Sequence, residues 1–367
     1  MSFNSFNSDT LMSKNDFASP IWLNNPSSDF DSSFQKVVEG SKLSKIIKPI
    51  KIGNVQLPNN LMLAPMAGVT DGSFRQLCAR LGVGYTVSEL ASCKALQMRS
   101  SQTLDMIRFD GDTGKYAVQI FGSDPDLMAE AASYVESLKI CDVIDLNMGC
   151  PVSKVVKTGA GSALMKTPEL AAKIIKNVSK SVSLPVTCKF RIGWTENSIN
   201  VKEFARAVVE AGVKAITVHA RTRQAMYTGP AQWKYLEGLK DIATNIPFIS
   251  NGDISSEEHI IELYEKTGCD GFMIGRGCVG KPWIYAQLLG HSELLIPEFR
   301  FKIFKHHLVD MLMEHGSSAV PMFRVHLFGY LKNHPHSASL RRSLCTERNP
   351  NVVLKIGEEF FKNNGYL

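Results

Sequence analysis

The chain has no CxxC pair and no paired histidine spacing, and its eight cysteines (Cys78, Cys93, Cys141, Cys150, Cys188, Cys269, Cys278 and Cys345) lie scattered. That leaves no readable disulfide framework or zinc site, and most of these thiols are expected to be small buried hydrophobes. No apolar run approaches the roughly 20 residues of a membrane-spanning helix. No basic stretch leads into an apolar one at the N-terminus either, so neither anchor nor secretory signal is readable and a cytoplasmic protein is expected. Residues 1–45 lack arginine and any sustained period, and are rich in Ser, Asn and Asp, the composition of a disordered tail. Within that tail, Ile21, Trp22, Leu23 and Phe34 are the apolar groups able to dock on a neighbouring domain. No Gly-rich fingerprint follows the first β-type run, which argues against an open dinucleotide-binding sheet.

What is present is enough apolar residue for a full core. With 367 residues, 44% of them hydrophobic and 21% charged, the length fits one large domain and a smaller one. A net charge of +6 and a pI near 8.8 are compatible with an anionic partner but do not demand one.

From Ile50 onward short β-type runs alternate with amphipathic helical stretches, the pattern of parallel βαβ units. The runs are 61–65, 85–89, 116–121, 143–147, 185–191, 215–219, 247–251 and 271–275. The intervening stretches 124–138 and 168–182 carry apolar residues at helical spacing, with Ser123 and Thr167 as expected capping residues. Eight units predict a closed α/β barrel, a (β/α)8 TIM barrel, over 46–295. The runs end in polar, reactive or permissive residues: Pro65, Glu89, Gln119, Asn147, Lys189 with Arg191, His219, Asn251 with Gly252, and Gly275 with Arg276. In a barrel these ends converge on one face, where the active site sits.

After about residue 296 the alternation stops. Two or three helical segments are expected over 296–367, forming a small all-helical C-terminal domain in which Arg300, Lys302, Lys305, Arg324, Lys332, Arg341, Arg342 and Arg348 outnumber nearby acids. His306, His307, His334 and His336 have no metal-ligand spacing and are expected on the surface or at helix caps.

Cys150 falls just past the fourth run, followed by the Gly-rich loop TGAGSALM (158–165). A cysteine thiol is mostly protonated near neutrality and suits proton donation. Lys189 and His219 end the fifth and sixth runs, and together suit an anionic ring or acid–base work. Asn251-Gly252-Asp253 and Gly275-Arg276-Gly277 follow the seventh and eighth runs, where backbone amides of barrel loops commonly hold a phosphate.

These residues come as a set. APMAGVTD (64–71), VQIFG (118–122), DLNMGCP (145–151), CKFRIGW (188–194), VHARTR (218–223), SNGDI (250–254) and IGRG (274–277) resemble, in that order, the tRNA-dihydrouridine synthases, a family of FMN-containing barrels of bacterial type. The resemblance extends more weakly to HLFGYLKNHPHSASLRRSL (326–344), similar to the family's tRNA-contacting region. It implies that Pro65, Met66 and Ala67 pass under the flavin, that Gln119, Lys189 and His219 bind its ring and ribityl parts, and that Asn251, Gly252, Asp253, Gly275 and Arg276 hold its phosphate end. It makes Cys150 the proton donor and Asn147 a hydrogen-bond partner of the uracil. It also makes Arg191, Arg221, Arg223, Lys332, Arg341 and Arg342 substrate contacts. NADPH, or NADH, would reduce FMN, and tRNA would be the partner of a monomeric chain with no metal and no membrane association. The competing reading is an FMN barrel acting on a free pyrimidine, such as a dihydroorotate or dihydropyrimidine dehydrogenase, which leaves the basic helical domain without a purpose.

Overall fold

A computed structural model of the chain describes residues 34, 36–108, 114–292, 295–332 and 337–363. Ile21, Trp22, Leu23, His334 and His336, and with them most of the expected tail, lie outside the described residues. The chain divides into a unit spanning Asp31–Ile296 and a second one that takes in Pro297–Leu367.

The first unit is a closed parallel barrel. A hairpin, β1 (Ile50–Ile52) and β2 (Val55–Leu57), precedes β3 (Leu61–Leu63), β4 (Tyr85–Val87), β5 (Ala91–Ser92), β6 (Lys115–Phe121), β7 (Val143–Met148), β8 (Val186–Arg191), β9 (Ile216–His219), β10 (Phe248–Asn251) and β11 (Gly271–Ile274). The order β4-β3-β11-β10-β9-β8-β7-β6 closes through parallel pairing of β4 with β6, and β5 adds a two-residue pairing to the end of β6. Each of the eight expected runs holds one barrel strand. The hairpin and β5 were not expected.

Side chains two apart on a strand share a face, and this parity divides the interior by height. The hairpin's Ile50, Ile52 and Leu57 pack with Met62, Tyr85, Val87, Ala117, Val143, Ala215, Ile249 and Met273 in one buried apolar cluster. Continuing the same parity toward the strand ends gives Gln119 after Ala117, Asp145 and Asn147 after Val143, Thr217 and His219 after Ala215, and Asn251 after Ile249. The lower barrel is therefore sealed by hydrocarbon, and polar groups collect above it. The opposite parity (Leu61, Leu63, Val118, Ile120, Ile144, Leu146, Cys188 and Phe190) is fully buried.

The helix Pro125–Ser137 begins at Asp124, whose carboxylate accepts from the Asp126 and Leu127 amides; the expected cap Ser123 instead donates to the Thr158 carbonyl at 2.7 Å. Thr167 holds the N-cap position of Pro168–Ser181 but makes no side-chain cap bond. The two helices are neighbours, and each buries an apolar face, Met128, Ala131, Ala132 and Val135 on one and Ala171, Ile174, Ile175 and Val178 on the other.

The barrel unit also begins earlier than the expected boundary at residue 46. Phe34, Leu43 and Ile47 are buried, the Val38 amide donates to Leu289 O at 2.8 Å, and His291 bonds Lys36 O at 2.8 Å while its ring meets Phe34 edge-on at 5.3 Å. Apolar groups spaced along a polar segment suffice to dock it, although its composition reads as a tail.

The second unit contains the helices Pro297–His315, Ala319–Tyr330, Ser337–Leu344 and Pro350–Asn363, more than the two or three expected. His306 and His307 are not surface residues: both are buried, and the His307 ring packs against Phe323 at 5.0 Å and His326 at 4.4 Å, with its Nδ1 3.1 Å from Tyr330 Oη. They lie on the inward face of the first helix with Phe304, Leu308 and Met311, where helical spacing takes precedence over polarity. Among the described residues no helix is long and apolar enough to cross a membrane.

Phe34→Ala removes a buried aromatic that anchors the segment before β1, and should lower unfolding stability by about 3 kcal/mol. Urea unfolding of the variant checks this, and an unchanged midpoint would show that the segment adds nothing to the barrel.

Candidate active site

The polar upper layer starts from the sheet register. Gln119 stands opposite Asp145, Asp145 opposite Thr187, Asn147 opposite Lys189, and both Arg191 and Asn251 opposite His219. Neighbours at one level hydrogen-bond in sequence. Thr187 Oγ1 and Gln119 Nε2 each donate to one oxygen of Asp145 at 2.6 Å; Asn147 Nδ2 donates to Gln119 Oε1 at 2.8 Å. Asn147 Oδ1 then accepts the amides of Cys150 at 2.9 Å and Gly149 at 3.2 Å, so the cysteine loop is pinned by an amide whose orientation is set from Asp145. Asp145 and Thr187 were missed in the sequence, although the spacing of Asp145 to Asn147 and Thr187 to Lys189 already put them on the inward face.

A second group is cationic. Lys189 Nζ donates to Asn251 Oδ1 at 2.9 Å, and Asn251 Nδ2 donates to Met273 O at 2.7 Å, so this asparagine is committed to placing the lysine. Burial, with the Arg191 charge beside it, lowers Lys189 from 10.5 to about 7. Arg191 itself is lowered by burial to about 10 and remains charged at neutral pH. Burial, and then Lys189, Arg191 and Arg221, hold His219 well below the ordinary histidine range. Its Nε2 lies 3.3 Å from Arg221 Nη1; guanidinium only donates, so Nε2 is the acceptor and the neutral ring carries its proton on Nδ1.

Arg191 and Arg221, expected as substrate contacts, are each 2% exposed, with their donors engaged inside the protein. Arg191 donates to the carbonyls of Gly149, Thr222 and Met226 at 2.7–2.8 Å, tying the loop after β7 to the loop after β9. Arg221 donates to Gly229 O and to both oxygens of Asp253. An RNA phosphate would have to displace these bonds to reach either group. Arg223 is half-buried with its guanidinium over the Trp194 ring at 4.7 Å. Lys332 and Arg342 are exposed and Arg341 half-buried, all in the helical unit.

At the strand ends, Gly252 has φ +125°, and a Cβ there would stand 3.0 Å from Ala231 Cβ and 3.2 Å from His219 Cδ2, so the turn requires glycine. Asp253 follows at φ +55°. Burial disfavours its charge, but Arg221, the Ala231 amide and Arg276 outweigh that and hold its carboxyl below the usual range. Its carboxylate faces Arg221 and Arg276 rather than an anion, so what it offers a phosphate is its backbone and the arginine it orients. Gly275 is half-buried and Arg276 exposed, with Arg276 Nη1 donating to Tyr227 O at 3.0 Å. Pro65 and Met66 are half-buried and Ala67 exposed just beyond β3, in a turn where the Met66 amide donates to Thr70 Oγ1 and Gly68 N to Glu89.

Lys189, Arg191, Arg221 and Arg276 thus converge at the mouth, Asp253 pairing with Arg221 and Arg276 while Asp145 is bonded to Gln119 and Thr187. Burial and the neighbouring positive charge depress the protonation of Lys189 and Arg191, which is the arrangement an anionic ring and phosphate relieve. Cys150 is half-buried, and burial raises its thiol above the ordinary value against the opposing pull of the Val152 amide, Arg191 and Lys189. It is protonated at neutral pH beside cations that favour the thiolate left behind after proton donation.

Fold and mouth together define a barrel enzyme with its chemistry at the C-terminal ends of the strands. A family model described as Dihydrouridine synthase (Dus) matches residues 62–364. The chain is 40% identical over 323 residues to tRNA-dihydrouridine synthase B of Vibrio cholerae, covering 86% of this chain and 99% of that one. It is 39% identical over 320 residues to a probable tRNA-dihydrouridine synthase of Rickettsia prowazekii, covering 85% and 97%. Among solved structures, a 2-naphthoyl-CoA reductase complex aligns with a TM-score of 0.54 at 11% identity, over 66% of this chain and 52% of that one. Histamine dehydrogenase from Rhizobium sp. 4-9 aligns with a TM-score of 0.54 at 13%, over 73% and 51%; at such identities both speak for the barrel fold alone. This chain belongs to the dihydrouridine synthase family and is a flavin-dependent oxidoreductase.

Because Lys189 titrates at about 7 in the fold and at 10.5 when unfolded, the unfolded chain holds more protons between those values. The lysine therefore costs the apoprotein stability below pH 7, and the cost fades as pH rises toward 10.5. Lys189→Met should stabilise the apoprotein at pH 6, with the advantage shrinking toward pH 10. A pH series of urea unfolding curves tests this, and a pH-independent difference would contradict it.

Proposed function

We propose that this protein reduces the C5–C6 double bond of particular uridines in tRNA to dihydrouridine, with FMN as its flavin and NADPH as reductant, in the cytoplasm. The observation that carries the reading is a protonated, half-buried Cys150 whose loop is anchored through Asn147, beside Lys189 and Arg191 at the mouth of the barrel. Gln119, Lys189 and His219 would hold the flavin ring and ribityl chain, the turn at Pro65–Ala67 would pass beneath it, and Asn251, Gly252, Asp253, Gly275 and Arg276 would form its phosphate end. Bound FMN supplies to carbon 6 of the uracil a hydride that originates from NADPH.

The chain's own residues do the rest. Cys150 Sγ gives its proton to carbon 5, and Arg191 and Lys189 stabilise the resulting thiolate until it is reprotonated. Asn147 gives one Nδ2 hydrogen to Gln119 and has a second for the base. A stacked uridine must leave its stack to enter the mouth, at a cost of about a few kcal/mol. Phosphate contacts from Lys332, Arg341 and Arg342 would offset it. Nucleoside analysis of tRNA from cells lacking this protein tests the whole reading: loss of dihydrouridine at defined positions is expected, and an unchanged profile refutes it.

Cys150→Ala should keep bound flavin and its reduction by NADPH while slowing tRNA reduction by about 10²- to 10⁴-fold. Stopped-flow measurement of the two half-reactions separates them; near wild-type tRNA reduction would return Cys150 to a structural role.

Replacing Arg341 and Arg342 by Ala should weaken tRNA binding and flatten its salt dependence by roughly 0.7–0.9 in log–log slope per lost phosphate contact. Binding titrations over a salt series measure this. Unchanged slope and affinity would make these arginines a solvated face, and efficient reduction of free uridine would favour a free-pyrimidine enzyme.

A further inference from the structure

Three rim loops meet at Trp194 in an arrangement that the reaction itself does not use. Lys166 Nζ stands 3.6 Å from the centre of the Trp194 ring and the Arg223 guanidinium 4.7 Å from it. The three residues follow β7, β8 and β9 respectively, and backbone bonds hold the loops together. Arg223 N donates to Gly193 O and Gln224 N to Trp194 O, both at 2.9 Å, while Asn200 Nδ2 donates to Met165 O at 2.8 Å. Gly193 lets the loop after β8 fold back on itself, since a Cβ there would lie 2.5 Å from Ser198 O and 2.8 Å from Ile199 Cα.

Two cations are thus held on one indole, whose face offsets only a small part of the cost of holding them together. Neither Lys166 nor Arg223 has a carboxylate partner among the described residues. The nearby Glu196 is taken by neutral donors, Thr222 Oγ1 at 3.1 Å and Gln232 Nε2 at 2.8 Å. Arg223 Nε is buried and has no hydrogen-bond partner. Lys166 is exposed, and Trp194 and Arg223 are half-buried.

The cluster is joined covalently and by hydrogen bonds to the loop that carries Cys150. The 3-10 helix Gly161–Lys166 is fastened to the carbonyl of Cys150 by the Ser162 amide at 3.0 Å and hydroxyl at 2.9 Å. Lys166 ends that short helix, so it is carried by the same element that is tied to the Cys150 loop.

We infer that Lys166, Trp194 and Arg223 form an anion site on the barrel rim that takes phosphodiester groups of the RNA strand next to the uridine entering the mouth, Trp194 holding the two cations in place. The inference rests on the tRNA reading above and adds a barrel-borne contact, separate from the helical unit, that would draw the strand toward Cys150. An exposed Lys and a half-buried Arg, neither spent on a carboxylate among the described residues, suit a backbone carrying one negative charge per nucleotide.

The test is binding of an unmodified tRNA transcript over a salt series, using flavin-loaded protein, for wild type, Lys166→Gln, Arg223→Gln and the double variant. Bound-flavin absorbance and the unfolding midpoint serve as fold controls. Each single change should flatten the log–log slope by roughly 0.7–0.9 and weaken binding about fivefold at 0.15 M salt, with the double variant showing the sum. Trp194→Leu, which keeps both charges but frees them, should weaken binding while retaining most of the slope. Wild-type slope and affinity in Lys166→Gln and Arg223→Gln, with wild type still binding and reducing tRNA, overturn this site and leave the enzyme reading intact. Absence of tRNA binding and reduction by wild type would overturn both.

Discussion

A carboxylate buried in the barrel interior is costly unless both of its oxygens are engaged, and Asp145 meets that condition with two 2.6 Å bonds, from Gln119 and Thr187. Burial still pushes its pKa above the usual carboxylate range, against the opposing effect of those bonds and of Lys189. The orientation of the mouth depends on this group. A carboxylate accepts only, so Gln119 must turn its nitrogen toward it and its oxygen toward Asn147. Asn147 in turn presents oxygen to the Cys150 and Gly149 amides. Had an apolar residue stood at 145, either amide could have turned over and the cysteine loop would have lost its acceptor.

The second constraint is repulsion among cations. Lys189, Arg191, Arg221 and Arg276 are brought within reach of one another, and each is held by neutral oxygens or by Asp253. Arg191 and Arg221 spend their donors on carbonyls of the loops after β7 and β9, so the charges that shape the potential of the mouth also tie its rim together. This division of labour leaves Lys189 as the cation with a variable proton, and keeps His219 neutral with a known tautomer. Charges fixed in place by the protein's own contacts are the usual basis of electrostatic preorganisation.

Below this layer the molecule is conventional in its energetics. Hydrocarbon from the β1–β2 hairpin and the lower strand halves fills the barrel, and the residues of opposite parity meet the surrounding helices. A rigid apolar base beneath a polar, charged mouth places strain and desolvation where the chemistry is, and leaves stability to the part that touches no ligand. At the Trp194 platform, further out, the cations Lys166 and Arg223 are positioned by an aromatic face, whereas Arg221 and Arg276 in the mouth share the Asp253 carboxylate.

The sequence alone was sufficient for the barrel. Eight β-type runs ending in polar residues specify the number of strands and the face on which Cys150, Lys189, His219 and Asn251 gather, because strand parity and chain direction are local properties. It also carried the family, through motifs that follow one another in fixed order. It could not say that Arg191 and Arg221 are buried and tie the rim loops together, since an arginine at a strand end looks the same whether its donors meet carbonyls or solvent. Nor could it reveal that Asp145 and Thr187 complete the hydrogen-bond chain, that His306 and His307 are core residues, or that Phe34 docks in a segment composed like a tail. Each of these depends on partners far away in sequence. Composition and spacing report what a residue is able to do, and only the packing of distant segments decides which of those capacities is used.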